Sequence, residues 1–294
     1  MLKHHQSTVL LAGATGYLGM YIAKQLVKQN IHSKLIARKP EKLKTLSATN
    51  VSVIKAEVTK PETFKHIMEG VHTVISTIGI TRQKEGLTYM DVDYQANINL
   101  LNEAKKSGVK KFIYVSAING NHMRHLKIFE AKEQFVDALR NSGLQYTIMR
   151  PNGFFSDMKD FQDMAKKGKV YLFGNGENKF NPIHGEDLAE VCIEAIQRKD
   201  KEIIIGGPDV LTQNEIAILA FKALNKPVKI KYLPDLIRRI IICMLRRFTS
   251  SKTYGPYEFF LTLMAQDNIA PRYGKHRLRD FFKHQNLQSN ERTK

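Results

Sequence analysis

Leu11-Ala12-Gly13-Ala14-Thr15-Gly16-Tyr17-Leu18-Gly19 is the stretch that decides the fold. Before it, Ser7–Leu11 reads as a short apolar strand. After it, Tyr17–Gln29 carries apolar residues at helical spacing, so three glycines in the order G-x-x-G-x-x-G occupy a strand-to-helix turn. The first two let the backbone turn sharply and approach a ligand closely, and the third lets the helix meet the strand. The unpaired amides at the start of the helix, at the positive end of its dipole, suit a phosphate. A tight turn without a ligand uses the same residues. At the first strand-to-helix turn of a βα series, however, the pattern points to the pyrophosphate of a dinucleotide, with Gly13 to Gly19 as the candidate contacts.

Working outward, Ser33–Arg38, Val51–Ala56, Thr73–Thr77, Lys111–Ser116 and Tyr146–Arg150 also read as strands, each followed by a helix-length segment. That alternation implies right-handed βαβ crossovers covering both faces of a parallel sheet, which is why VLLA, VISTI and FIYVS are apolar throughout. The predicted fold class is α/β, a doubly wound, mostly parallel Rossmann sheet. Thr59-Lys60-Pro61-Glu62 predicts a capped helix closed by Gly70, and Gly108 and Gly143 stop two others. After Pro151 the regularity gives way to helices, short strands and turns such as Phe173-Gly174-Asn175-Gly176. The expected division is a dinucleotide-binding domain over 1–150 and a smaller helical or mixed substrate or lid region over 151–294, packed together without a linker.

Composition sets outer bounds. A chain of 294 residues with 43% hydrophobic content can bury a large core. The net charge of +18 favours anionic partners, and it is concentrated: residues 231–294 hold thirteen Lys and Arg against five Asp and Glu. Nucleic acid is not expected, since charge is its only support and no binding motif accompanies it. Cys192 and Cys243 are the sole cysteines, far apart and without ligand spacing, so neither a disulfide framework nor a metal site is suggested and a reducing cytoplasm fits. MLKHHQSTVLLAG lacks the marks of a signal peptide, and no run reaches the roughly 18 apolar residues of a membrane span.

The end of the second strand selects between nicotinamide cofactors, because a carboxylate there bonds ribose hydroxyls while a cation accepts a 2′-phosphate. Here it reads Ile36-Ala37-Arg38-Lys39-Pro40. Two cations and no carboxylate favour NADP(H), with NAD the alternative and a solvated basic turn the bland one.

The glycine loop, the ARKPEKL turn, Ile54-Lys55-Ala56-Glu57-Val58-Thr59 and Tyr114-Val115-Ser116-Ala117 together resemble the short-chain dehydrogenase/reductase superfamily, in particular its atypical NmrA-like and divinyl-reductase-like members. Phe129-Glu130-Ala131-Lys132, Met149-Arg150-Pro151-Asn152-Gly153-Phe154-Phe155 and Asn181-Pro182-Ile183-His184-Gly185-Glu186-Asp187 extend the likeness over residues 7–290. The resemblance implies that Glu57 and Val58 flank the adenine, that Ser76, Thr77 and Gly79 line the cofactor, and that Asn152, Gly153 and Phe154 border the nicotinamide. It also implies a tyrosine four residues before Lys132 as proton donor, and that position is Ile128, which cannot donate. Lys132 is left to hold the nicotinamide ribose, and Ser116 to bond a substrate carbonyl or the cofactor. His122, His125, Tyr89 and Tyr94 are substitute donors by position, with packing or exposure as their plainer roles. His184 is expected to fix the chain's return to the main domain.

Two functions stay open on this reading: an NADPH-dependent reductase passing hydride to a small hydrophobic molecule, or a non-catalytic NAD(P)-binding regulator or assembly factor, the latter favoured by Ile128. An epimerase is disfavoured, since such relatives keep tyrosine and lysine together. In the tail, Leu236, Ile237, Ile240, Ile241, Met244, Leu245 and Phe248 recur at helical spacing beside Arg238, Arg239, Arg246 and Arg247. The segment 234–249 can therefore serve as core or lid, as a peripheral contact with an anionic membrane, or as an oligomer contact.

Overall fold

The computed structural model describes residues 8–46, 48–83 and 86–291, so Ser7 of the expected first strand lies outside them. β1 (Thr8–Ala12) runs through the glycine loop into α1 (Tyr17–Lys28), whose buried Leu18, Ile22, Ala23 and Leu26 repeat at the spacing of one helix face. β2 (Ser33–Ala37), β3 (Val51–Lys55) and β4 (Val71–Ser76) follow, then α2 (Ala96–Lys106), β5 (Lys111–Val115), α3 (Lys127–Arg140) and β6 (Gln145–Pro151). Every residue of β5 is buried, as a strand covered on both faces requires. The sheet order is β3-β2-β1-β4-β5-β6, completed on the far edge by β9 (Glu202–Ile205), and the pairings among β1 to β6 are all parallel. Strand order reverses between β1 and β4. In such sheets that is where ligands bind, at the carboxyl ends of the strands.

Two crossovers depart from the expected helices. Between β2 and β3 the chain makes a 3-10 segment, Pro40–Leu46, and between β3 and β4 only a short 3-10 turn, Pro61–Phe64. The helix predicted from Thr59 to Gly70 does not form. Thr59 bonds the Glu57 carboxylate at 3.1 Å instead of capping, Thr63 donates to the Lys60 carbonyl at 2.8 Å, and His66 adopts φ 62°, outside any right-handed helix.

The chain forms two compact units. The first holds residues up to Arg150 together with Leu188–Ile203, and the second holds Pro151–Asp187 and everything from Ile204. The expected boundary at 150 thus assigned residues 188–203 to the wrong side. They return to the first unit because the strand they lead into completes its sheet, and the Lys111 ammonium fastens them by donating to the carbonyls of Ala195 and Arg198. The first unit's core includes Leu10, Phe64, Phe112, Tyr114 and Phe135.

The second unit has its own aromatic core of Phe155, Phe161, Phe180, Phe221 and Phe282. It comprises α4 (Lys159–Lys166), β7 (Val170–Phe173), β8 (Lys179–Phe180), the first residues of α5 (Gly185–Glu194), β10 (Leu211–Thr212), α6 (Gln213–Ala223), β11 (Ile230–Leu233), α7 (Asp235–Phe248), α8 (Ser251–Leu263) and α9 (Leu278–Glu291). Thr212 and Glu215 close a reciprocal capping box at the start of α6. The amphipathic tail segment is α7, and none of its residues is buried, which removes the core reading. No helix among the described residues is long and apolar enough to cross a membrane.

Candidate dinucleotide site

At the switch point, Gly13 has φ +88°, and a Cβ there would come within 2.4 Å of Thr77 Oγ1. The loop after β4 is tied to the loop after β1, since the Thr77 amide and hydroxyl both donate to the Ala12 carbonyl at 3.1 Å. The Gly16 amide closes the turn onto the Gly13 carbonyl at 2.9 Å, and Gly16 caps α1 in an extended conformation. The first turn of α1 contains no acidic residue. Its amides at Tyr17, Leu18 and Gly19 face no carboxylate from that turn, and the cradle fits a pyrophosphate. Ala14 is buried beneath it and Thr15 is half-buried.

Arg38 and Lys39 lie exposed just past the end of β2. Glu57 binds Lys60 at 3.0 Å. That hydrogen bond, helped by Thr59 and by the charges of Lys60 and Arg38, holds its carboxyl below the usual range against the effect of burial. Val58 is half-buried, and its carbonyl accepts from Asn99 at 3.1 Å. The Ser76 hydroxyl is buried and donates to Asn97 at 2.6 Å, anchoring α2 rather than facing a ligand.

Lys132 is not a solvated helix lysine. Its side chain is 12% exposed and its ammonium lies 2.8 Å from Asp93 Oδ1, on a six-residue π-helical segment, Met90–Gln95, that leads into α2. Asp93 Oδ2 accepts the Ile80 amide at 3.1 Å. The pair rests against Gly79, where a Cβ would come 2.7 Å from Nζ and 2.6 Å from Oδ1. Burial pushes both groups toward neutrality and lifts the Asp93 carboxyl, but each partner's charge opposes that. Asp93 and Tyr114 raise the ammonium's pKa despite its burial. The Tyr114 ring centre is 5.8 Å from Nζ, and burial pushes its phenol up.

Ser116, just past the end of β5, does not join Lys132. Its hydroxyl donates to Glu133 Oε1 at 3.1 Å. Arg150 takes Glu133 in a two-pronged grip, Nη1 to Oε1 at 2.6 Å and Nη2 to Oε2 at 2.8 Å. Ile128 is buried. Of the substitute donors, Tyr89 is buried with its hydroxyl on the Thr81 carbonyl at 2.7 Å, Tyr94 packs on the core, and His122 and His125 are exposed.

In the second unit, Asn152 is a buried brace rather than an open ligand. Its Nδ2 donates to Asn181 Oδ1 at 2.7 Å and to the Asn268 carbonyl at 2.5 Å, while its Oδ1 accepts the Gly153 amide. The Phe154 amide donates to Asp157 at 2.9 Å. Asp157 is exposed on the surface. His184 stacks on His276 with ring centres 4.2 Å apart, and burial followed by the neighbouring imidazole lowers its pKa to about 4. His276 Nδ1 bonds Asp187 at 2.7 Å, and one nitrogen or oxygen from each of His184, Glu186 and His276 falls within a 4.8 Å cluster.

A sequence model described as NAD(P)H-binding matches residues 13–199, from the first glycine of the loop through the segment that returns to the sheet. The chain belongs to this NAD(P)H-binding family. Its likeness to atypical short-chain dehydrogenases/reductases is carried by relatives along most of its length. Chloroplastic divinyl chlorophyllide a 8-vinyl-reductase of Arabidopsis thaliana is 29% identical over 93% of this chain and 75% of its own. Photosystem II assembly factor Ycf39 of Synechocystis is 24% identical over 82% of this chain and 74% of its own. An NADPH-dependent quinone oxidoreductase of Escherichia coli, solved with NADPH, shares the fold with a TM-score of 0.70 at 19% identity, covering 94% of this chain and 99% of that one.

For this NAD(P)H-binding protein, sequence reasoning missed Asp93. A usable signal was present: Asp93 and Asn97 stand four apart on the face that also buries Leu100, Leu101 and Ala104, and polar residues within an apolar stripe need partners. Replacing Asp93 with Asn leaves a buried ammonium without its counter-ion. The expected loss is about 1–3 kcal/mol in urea unfolding, together with weaker NADPH binding by fluorescence titration. Unchanged values of both would show that the pair does not organise the site.

Proposed function

We propose that the chain is an NADPH-dependent reductase acting on a small, hydrophobic acceptor with a polarised double bond or carbonyl. The observation that carries this reading is the buried Lys132–Asp93 pair, 2.8 Å apart against Gly79, beside the loop at the switch point. A buried charge is costly, and a cation fixed at the carboxyl edge of the sheet can hold a ribose hydroxyl or stabilise negative charge on an acceptor oxygen. NADPH supplies the hydride when bound. The protein's part is to orient it through the glycine loop and, through Arg38 and Lys39, to accept a 2′-phosphate. Two relatives whose names specify a reductase and an NADPH-dependent oxidoreductase support the same class. The test is NADPH oxidation, followed by absorbance, over a panel of enones, quinones and aldehydes. Turnover on one class supports the proposal, whereas tight NADPH binding with none on any overturns it.

That second outcome belongs to a non-catalytic NADP-binding assembly factor or regulator, favoured by the buried Ile128 in the proton donor's place and by the relative named as an assembly factor. The cofactor preference has its own test. Arg38→Ala is expected to weaken NADPH about tenfold, a charge-assisted bond at an exposed site being worth about 1–1.5 kcal/mol, and to leave NADH unchanged. Equal losses for both, or tighter NADH binding by the unmodified protein, would assign Arg38 to the solvated turn.

A further inference from the structure

The helix α7 is amphipathic in a direction the fold leaves unused. On one side Ile241, Ile242 and Leu245 are half-buried, Arg246 pairs with the buried Glu258 of α8, and Arg238 is held by Asp235. On the other side Leu236, Ile240, Met244 and Phe248 succeed one another every four residues and are 63, 48, 54 and 74% exposed. Scattered single hydrophobics are ordinary on a protein surface, but a row of four running the length of a helix, about 18 Å at 1.5 Å per residue, is not. Arg239 and Arg247 lie along the border of the row and make no ion pair among the described residues. With Arg238, Ile242, Cys243 and Arg246 they line a shallow depression.

We propose that α7 lies flat in the headgroup layer of an anionic membrane, the apolar row entering the acyl boundary and Arg239 and Arg247 meeting lipid phosphates. The helix is too short and too charged to span a bilayer, whereas an apolar face bordered by arginines is what an interfacial helix needs. The charge also argues against a second copy as the occupant. A two-fold contact through the row sets the arginine border of one copy near that of the other, without an acidic partner on α7 beyond Asp235, which Arg238 already holds.

The chain contains no tryptophan, so Phe248→Trp gives the full-length protein a single emission reporter on the row. The probe is extruded vesicles of phosphatidylcholine, with and without one part in four of phosphatidylglycerol. Expected are a blue-shifted emission and co-sedimentation with the anionic vesicles. Partitioning should be about tenfold or more weaker on phosphatidylcholine alone, at high salt, in Arg239→Glu/Arg247→Glu and in Met244→Asp. These positions are exposed, so the variants should keep wild-type thermal unfolding and NADPH affinity. Absence of a shift, or equal partitioning with and without phosphatidylglycerol, overturns the proposal. So does a lipid-free, concentration-dependent blue shift that Met244→Asp abolishes along with a dimer, which gives the row to a second copy.

Discussion

Replacing Glu133 with Ala is expected to remove roughly 3–5 kcal/mol of folding stability, the cost of stranding one member of a buried ion pair. Glu133 is fully buried and Arg150 is 2% exposed, so the guanidinium has no solvent to turn to. Its remaining partners are the Ala117 carbonyl at 3.2 Å, the Ser116 hydroxyl, and Glu202, which Nε contacts at the start of β9. The network joins α3, β6 and β9, so its loss loosens the edge of the sheet as well as leaving a charge uncompensated. Two companion variants separate these effects. Glu133→Gln keeps the shape and one acceptor and should cost less. The double replacement Glu133→Leu with Arg150→Met removes both charges and should recover most of the loss, because a well-packed apolar pair avoids the desolvation penalty altogether. Urea unfolding midpoints, with m-values to confirm a common unfolded state, provide the measurement. A Glu133→Ala midpoint within about 1 kcal/mol of wild type would show that Glu202 alone satisfies Arg150.

What could be read in advance followed from where the physical demand is written. β1, β4 and β5 are covered on both faces, and that demand appears as unbroken apolar runs. The turn from β1 into α1 requires backbone without side chains, and that appears as glycine. The 3-10 turn at Pro61–Phe64 was misread because Thr59 and Pro61 carry helix-start chemistry, while the bonds that defeat it, from Thr59 to Glu57 and from Thr63 to Lys60, depend on how the chain leaves β3. β9, the sequence Glu-Ile-Ile-Ile, is too short to announce itself and is defined by the edge it pairs with. In the site, Lys132 is singled out by its place in a motif, but its partner lies 39 residues earlier, marked only as a polar residue on the apolar face that continues into α2. Ser116 was nominated for chemistry because strand-end serines face ligands. Its hydroxyl is instead spoken for by a carboxylate on α3, next in sequence to the lysine itself. Periodicity also showed that α7 has two faces, without showing which one the protein would cover.

Gly19→Ala is the replacement expected to abolish cofactor binding most selectively. A Cβ at this position would lie 2.0 Å from the Gly13 carbonyl oxygen, 2.8 Å from the Gly13 carbonyl carbon and 3.0 Å from Ala14 Cα. All three are backbone atoms, so no rotamer change relieves the clash, and α1 must retreat from the loop by more than an ångström. The amides of the first turn retreat with it, while Gly13 stays tied through Ala12 to Thr77. Misplacing a set of converging groups by about 1 Å costs on the order of a hundredfold, and NADPH affinity should fall by that factor. Stability should fall by only about 1–3 kcal/mol, as overpacking usually costs. Gly70→Ala is the control: its φ of +73° makes alanine strained, but nothing lies within 4 Å of the added Cβ, so stability should drop while NADPH affinity holds. If the two variants lose affinity equally, the loss reflects general loosening and the first turn of α1 does not carry the pyrophosphate. If Gly19→Ala alone loses it, the amides at the head of α1 are the anion site, because that replacement changes their position and leaves every side chain of the loop in place.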